Sequence, residues 1–173
     1  WEHQALVRAR PVAGSKNISQ HFAELRSHIL GQERDSKTLA KDVVDMRQRM
    51  RKELDKSSED WFNIKQGRGG LVDIEFISQF LVLNHIHNVN SETAAAIAPD
   101  STIDILRFFR RQNLLSDNDC KQLIEAFSRY INRLNELTLE SQKKLVPASE
   151  FIEQRANVIR IWKELFAKAD ADS

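Results

Sequence analysis

Three of the chain's five glycines, Gly67, Gly69 and Gly70, fall within four residues in the stretch NIKQGRGGLVDIEF at 63–76. Lys65 and Arg68 flank them, and an apolar run follows at once. Glycine admits positive φ and lets other groups approach the backbone closely. A glycine loop feeding directly into a helix leaves N–H groups unpaired at the positive end of the helix dipole, a place suited to a phosphate or carboxylate. Lys65 and Arg68 would add charge there. An alternative of equal weight is a sharp turn against the helix, with Asp73 and Glu75 satisfying the helix start themselves. The spacing is not that of a P-loop, which ends in Gly-Lys-Ser/Thr after a strand, nor of a dinucleotide fingerprint, which needs alternating strands and helices.

Other residue types that could do chemistry are weaker. Asp73 and Glu75, two apart on a helix, point about 200° away from each other and cannot readily share one metal. Asp117 and Asp119 follow Ser116 in SDND, a helix cap with acids in the first turn. His85 and His87 are two apart, and His21 and His28 share a face without a third ligand, so no metal site is read. The arginine-rich stretches RQRMRKE (47–53) and RFFRR (107–111) read as solvated helix faces before they read as binding patches. Cys120 has no histidine nearby in sequence and no nucleophile motif.

The elements around the glycine loop are helical. Trp1, Ala5, Leu6 and Ala9 form a first segment closed by Pro11 and Gly14, and Ile18 to Leu30 form a second with Phe22, Leu25 and Ile29 on one face. RDS at Arg34 to Ser36 supplies an N-cap for a longer third helix to about Leu54, with the stripe Leu39, Val43, Met46 and Met50. Trp61, Phe62 and Ile64 make a short extended or irregular stretch. LVDIEFISQFLVLNHI, from Leu71, is apolar on nearly every side and predicts a helix surrounded by others. Alanines before Pro99 predict a loop with a helical turn, and a helix follows from Ser101 to Gln112. Leu123, Phe127, Tyr130, Leu134 and Leu137 trace an a/d seam on a long helix. A last helix after Pro147 is expected to bury Ile152, Ala156, Ile159 and Leu165, with residues 167–173 as a frayed tail. The predicted class is all-α: a single helical-bundle domain of roughly seven helices, with a glycine-rich loop before a buried central helix.

Composition agrees with one soluble domain over residues 1–173. The 26 basic and 25 acidic side chains nearly cancel, so no global field attracts nucleic acid or an anionic membrane. No apolar run approaches the roughly 18 residues that span a bilayer, and no leader is expected at the start. One cysteine permits no internal disulfide, which points to a reducing, cytoplasmic setting. The chain opens at Trp1 inside what reads as a helix body, and it is expected to be a piece of a longer protein.

KQGRGGLVDIEF resembles the K-x-G-x-G-G-[IL]-x-[DE]-I-E-F signature of the glutamine synthetase adenylyltransferase family, and WEHQALVRARPVAG resembles a second segment of that family. The resemblance implies a bifunctional parent with two related halves, each a nucleotidyltransferase domain followed by a helical domain. One half transfers AMP from ATP to a tyrosine of glutamine synthetase, and the other removes it by phosphorolysis, under the control of glutamine and PII signal proteins. By resemblance this chain is the helical domain behind the carboxyl-terminal, adenylylating half, in service of nitrogen metabolism. The family's catalytic motif, a Gly-Ser turn followed by Ser-Asp-x-Asp that holds Mg²⁺ and ATP, is not here: Gly14-Ser15 has no aspartate pair after it, and SDND has no Gly-Ser before it. No catalytic residue and no metal ligand is therefore expected in this segment, and Mg²⁺ and ATP are expected on the absent upstream domain. Lys65, Gly67, Arg68, Gly69, Gly70, Asp73 and Glu75, with Glu2, Arg8 and Arg10 brought forward by the first segment, are the candidates for contact with nucleotide or partner. Arg8 could pair with Glu2 or reach a nucleotide, since its planar fork suits phosphate. The competing reading is a regulatory module that contacts glutamine synthetase or a PII protein and never touches nucleotide.

Overall fold

The computed structural model describes residues 2–89 and 101–171, with side chains through Ala167. In chain order the elements are α1 (Glu2–Leu6), α2 (Lys16–Leu30), α3 (Ser36–Leu54), β1 (Trp61–Asn63), α4 (Leu71–His85) continued by a 3-10 turn at Ile86–Asn88, α5 (Thr102–Arg111), α6 (Asp117–Leu139), β2 (Leu145–Pro147) and α7 (Ile152–Ala171). The fold is all-α, with seven α-helices among the described residues. The alanine turn expected before Pro99 lies outside them.

Local chemistry explains where the helices begin. Ser15, Asp35, Ser101 and Ser116 each sit in extended backbone and accept a bond from an N–H of the first turn, at Ile18, Thr38, Asp104 and Asp119. Hydrogen bonds to Thr38 hold the exposed Asp35 carboxyl below its ordinary pKa. α4 has no side-chain cap; Gly70 occupies that position, and the loop before it does the capping.

Eleven of the fifteen residues of α4 are buried, Asp73 and Ser78 among them, because α1, α3, α5, α6 and α7 all pack on it. It is the central helix that the sequence predicts. α6 lies along α7, and α3 crosses to α7 as well, so α4 has no wide face left to solvent. Tyr130 on α6 packs edge to face on Phe62 and on Phe151, tying β1 to both long helices.

Two placements differ from the sequence reading. A second strand was not foreseen: Leu145–Pro147 pairs antiparallel with Trp61–Asn63, Phe62 opposite Val146. Pro147 closes that edge, where a missing N–H is harmless. α7 buries Gln154, Val158, Ile161 and Phe166, whereas Ile152 and Ala156 of the expected stripe are exposed. Phe151, just before the helix, anchors the seam at Tyr130 and rotates the inward face by one residue. α2 is sparsely covered: of its predicted apolar face Leu25 is 58% exposed while Phe22 and Ile29 are half-buried, and Ile18 in its first turn is 64% exposed.

Candidate functional site

The glycine loop uses its own amides. Asn63 Oδ1 accepts from the N–H groups of Lys65 and Gln66, and its carbonyl accepts from Gly67 at 2.7 Å. Gly70 N–H donates to the Gly67 carbonyl, Leu71 to Ile64, Val72 to Lys65 and Asp73 to Gly70. Gly69 N–H donates to Asp73 Oδ2 at 2.7 Å, and the Gly69 carbonyl accepts from the buried Tyr130 hydroxyl at 2.9 Å. Burial pushes the Tyr130 pKa far above its ordinary value, so the hydroxyl stays a donor. Between Lys65 and Asp73 only the Arg68 N–H makes no backbone or side-chain bond. A backbone cradle of free amides aimed at an anion is therefore not what the glycines build.

Close approach is what they build. A Cβ on Gly67 would stand 2.6 Å from the Asn63 carbonyl and from the Phe62 ring, and one on Gly70 would stand 2.5 Å from the Ile64 carbonyl. Gly69 has φ +78°, and a Cβ there would meet the Arg155 carbonyl at 2.7 Å. The loop is folded tightly on β1 and on the start of α7.

Asp73 stands at the centre of this arrangement. Its carboxylate, 2% exposed, accepts from Gly69 N–H, from Arg47 Nε at 2.6 Å and from Arg51 Nη2 at 3.0 and 3.1 Å. Arg47, 1% exposed, also donates through Nη2 to the Gln66 carbonyl at 2.7 Å and through Nη1 to Gln66 Oε1. The basic stretch 47–53 is thus not wholly a solvated face: Arg47 is core. The signal was its spacing, four after Val43 and seven after Ala40, both buried. A buried guanidinium needs a counter-ion, and Asp73 is the one that the packing of α4 on α3 supplies.

The remaining candidates fall into two places. Glu75, on the side of α4 away from Asp73, pairs with Arg8 just after α1. Arg26 clamps the same segment by donating to the Leu6 and Val7 carbonyls, both at 2.8 Å, and burial lowers its pKa. Glu2 and Arg10 are exposed at the same end. Arg68 is exposed and Lys65 half-buried at the loop, and neither makes an ion pair with a described residue. Structure therefore divides the ten sequence candidates into a loop group and a group at the first segment, joined through α4.

Residues 37–167 match the family described as GlnD PII-uridylyltransferase. The chain belongs to that family. Similar curated relatives include the bifunctional glutamine synthetase adenylyltransferase/adenylyl-removing enzymes of Nitrosococcus oceani, 39% identical over 99% of this chain, and of Psychromonas ingrahamii, 40% identical over 95% of it. That of Thioalkalivibrio sulfidiphilus is 37% identical over 99%. The chain spans 17% of the length of each of these relatives. The likeness read from KQGRGGLVDIEF and WEHQALVRARPVAG thus extends across nearly the whole segment.

The carboxylates singled out in the sequence are already engaged where the structure describes them. Asp73 is occupied by two guanidiniums and an amide, Glu75 by Arg8, and Asp119 by Arg160. Among the described residues no three of His, Cys, Asp and Glu converge. No helix of the described residues is long and apolar enough to cross a membrane.

Proposed function

We propose that this chain is the carboxyl-terminal helical segment of a bifunctional enzyme that adenylylates a tyrosine of glutamine synthetase with ATP and also removes the AMP, and that the segment positions the adenylylating site. What carries the reading is 39% identity over 99% of the chain to enzymes bearing that name. In this reading Mg²⁺ and ATP are held by the upstream nucleotidyltransferase domain; of the carboxylates singled out here, Asp73, Glu75 and Asp119 are committed to arginines. A positioning role suits a helical body that would hold one wall of a composite site in fixed geometry. The Arg8–Glu75 pair supports it, because it fixes the first segment to the central helix two residues from the carboxylate that orders the loop.

The exposed Ile18 and Leu25 on α2 support an upstream partner within the same polypeptide, as the relatives carry most of their length outside this segment. Glutamine synthetase is the protein substrate in this reading, PII a regulator, and the cytoplasm the setting. A second reading keeps the segment as a regulatory contact surface, and the free guanidinium of Arg68 serves either.

The test is the double variant Lys65→Ala with Arg68→Ala in the full-length enzyme, assayed for AMP transfer at saturating glutamine synthetase and ATP. Neither side chain holds the loop together, so the variant folds. A fall in rate of about tenfold, the loss of one to two charged contacts, is expected. An unchanged rate with an altered response to PII or glutamine transfers the role to regulation.

A further inference from the structure

Val44, Arg47 and Arg51 of α3, Arg68 and Asp73 at the loop, and Ile159 and Trp162 of α7 line a cleft of 250 Å³. Three guanidiniums face one carboxylate there. Asp73 is the only acidic lining residue, and both of its oxygens are already taken. Arg47 is spent on Asp73 and Gln66, and acts by fixing the other groups. Arg51 is tied to Asp73 through Nη2 alone; its Nε–H is buried without an acceptor, and its side chain is 25% exposed. Arg68 is exposed and pairs with none of the described carboxylates.

We propose that this cleft is a phosphate-binding site, with Arg68 and Arg51 as its ligand-contacting residues and the Arg47–Asp73 pair as its frame. The lining carries two positive charges beyond what Asp73 balances. A phosphate monoester carries about −1.5 to −2 at neutral pH, whereas a carboxylate carries one charge, so phosphate is the better match. Guanidiniums donate in a planar fork that suits phosphate oxygens, and a buried donor without an acceptor marks a partner that is missing. The rest of the lining is Gln48, a further polar group, and one apolar side made by Val44, Ile159 and Trp162, whose ring leans on Phe166 with centroids 4.3 Å apart. At about 30 Å³ per water, the cleft holds about eight waters or one small phosphate ester, whose carbon skeleton would lie along the apolar side. The inference does not rest on the adenylyltransferase reading.

The experiment is a footprint of the full-length protein with phenylglyoxal, an arginine reagent, read peptide by peptide by mass spectrometry. Inorganic phosphate, glycerol phosphate and acetate are compared with chloride at one ionic strength. At ten times its dissociation constant, phosphate slows modification of Arg68 about tenfold, and Arg111, exposed on α5, reacts at an unchanged rate. Protection by glycerol phosphate as well identifies an ester site, and protection by inorganic phosphate alone a site for the free ion; both support the proposal. Equal rates in phosphate and chloride overturn it, as does acetate protecting as well as phosphate. In Arg51→Ala the protection of Arg68 is lost; its persistence removes Arg51 from the site. The wild-type footprint decides the main point even if that variant does not fold, and it reads Arg68 directly whatever the transfer assay gives.

Discussion

Replacing Asp73 by alanine is the most severe single change the structure identifies. It removes the counter-ion of Arg47, which is 1% exposed, and the acceptor of the buried Gly69 N–H. Breaking a buried pair from one side costs about 3–5 kcal/mol, and an orphaned buried N–H about 1–3. The two losses share one carboxylate and do not fully add, so about 4–6 kcal/mol is expected. A domain of this size is stable by about 5–15 kcal/mol, so Asp73→Ala brings the 173-residue chain near its threshold. Urea unfolding followed by circular dichroism measures it, with Glu75→Ala as the comparison. Glu75 lies on the same helix, but its pair with Arg8 is 20% and 42% exposed and is worth at most about 1 kcal/mol after screening. The double change Arg47→Met with Asp73→Asn is expected to recover part of the loss, since no unpaired charge stays buried. Equal midpoints for Asp73→Ala and Glu75→Ala would refute the argument that one buried carboxylate organises the loop.

Gly69→Ala combines left-handed backbone, costing about 1–2 kcal/mol, with a backbone clash at Arg155, and is expected to cost at least about 3 kcal/mol in a thermal melt. Gly14→Ala has positive φ but open space around it, so it shows only the backbone cost; a Gly69→Ala chain as stable as Gly14→Ala contradicts the close-approach account. Burial, and then neighbouring His87, lower the His85 pKa below its ordinary value of 6.5. The unfolded chain therefore binds the proton more readily, and this contribution to stability is whole above pH 6.5 and falls away below it as His85 protonates. Denaturation midpoints between about pH 7 and pH 5 should fall less steeply in His85→Gln; an identical slope would show that the ring titrates alike in both states.

Periodicity carried most of the fold. α4 was legible because an apolar helix all round has to be enclosed, and α3 and α6 because caps and stripes coincided. What periodicity missed had a long-range cause. The inward face of α7 is set by Phe151, which lies outside the helix and finds Tyr130 twenty-one positions earlier. β2 is three residues long and exists only because Trp61–Asn63 offers it an edge. Arg47 sat on the core stripe all along, but a charged residue at a core position reads as an interruption until its partner is known. Asp73, twenty-six positions on, was singled out as a helix-start residue, and a sequence does not say which arginine it meets.

The loop group of candidates changes meaning once its bonds are traced. Glycine-rich loops before helices hold anions when their amides are free, and here Asn63, Ile64 and Asp73 consume those amides. Anion recognition at this place belongs to side chains that the rigid loop aims, above all Arg68 beside Arg51. Substitutions then separate cleanly: changes at Gly67, Gly69 or Asp73 report on folding, because each forces backbone or strands a buried charge. Changes at Arg68 or Lys65 touch no internal bond and report on what the segment contacts. A loss of phosphate protection or of AMP transfer in Arg68→Ala, with an unchanged melting temperature, can only come from that outer surface.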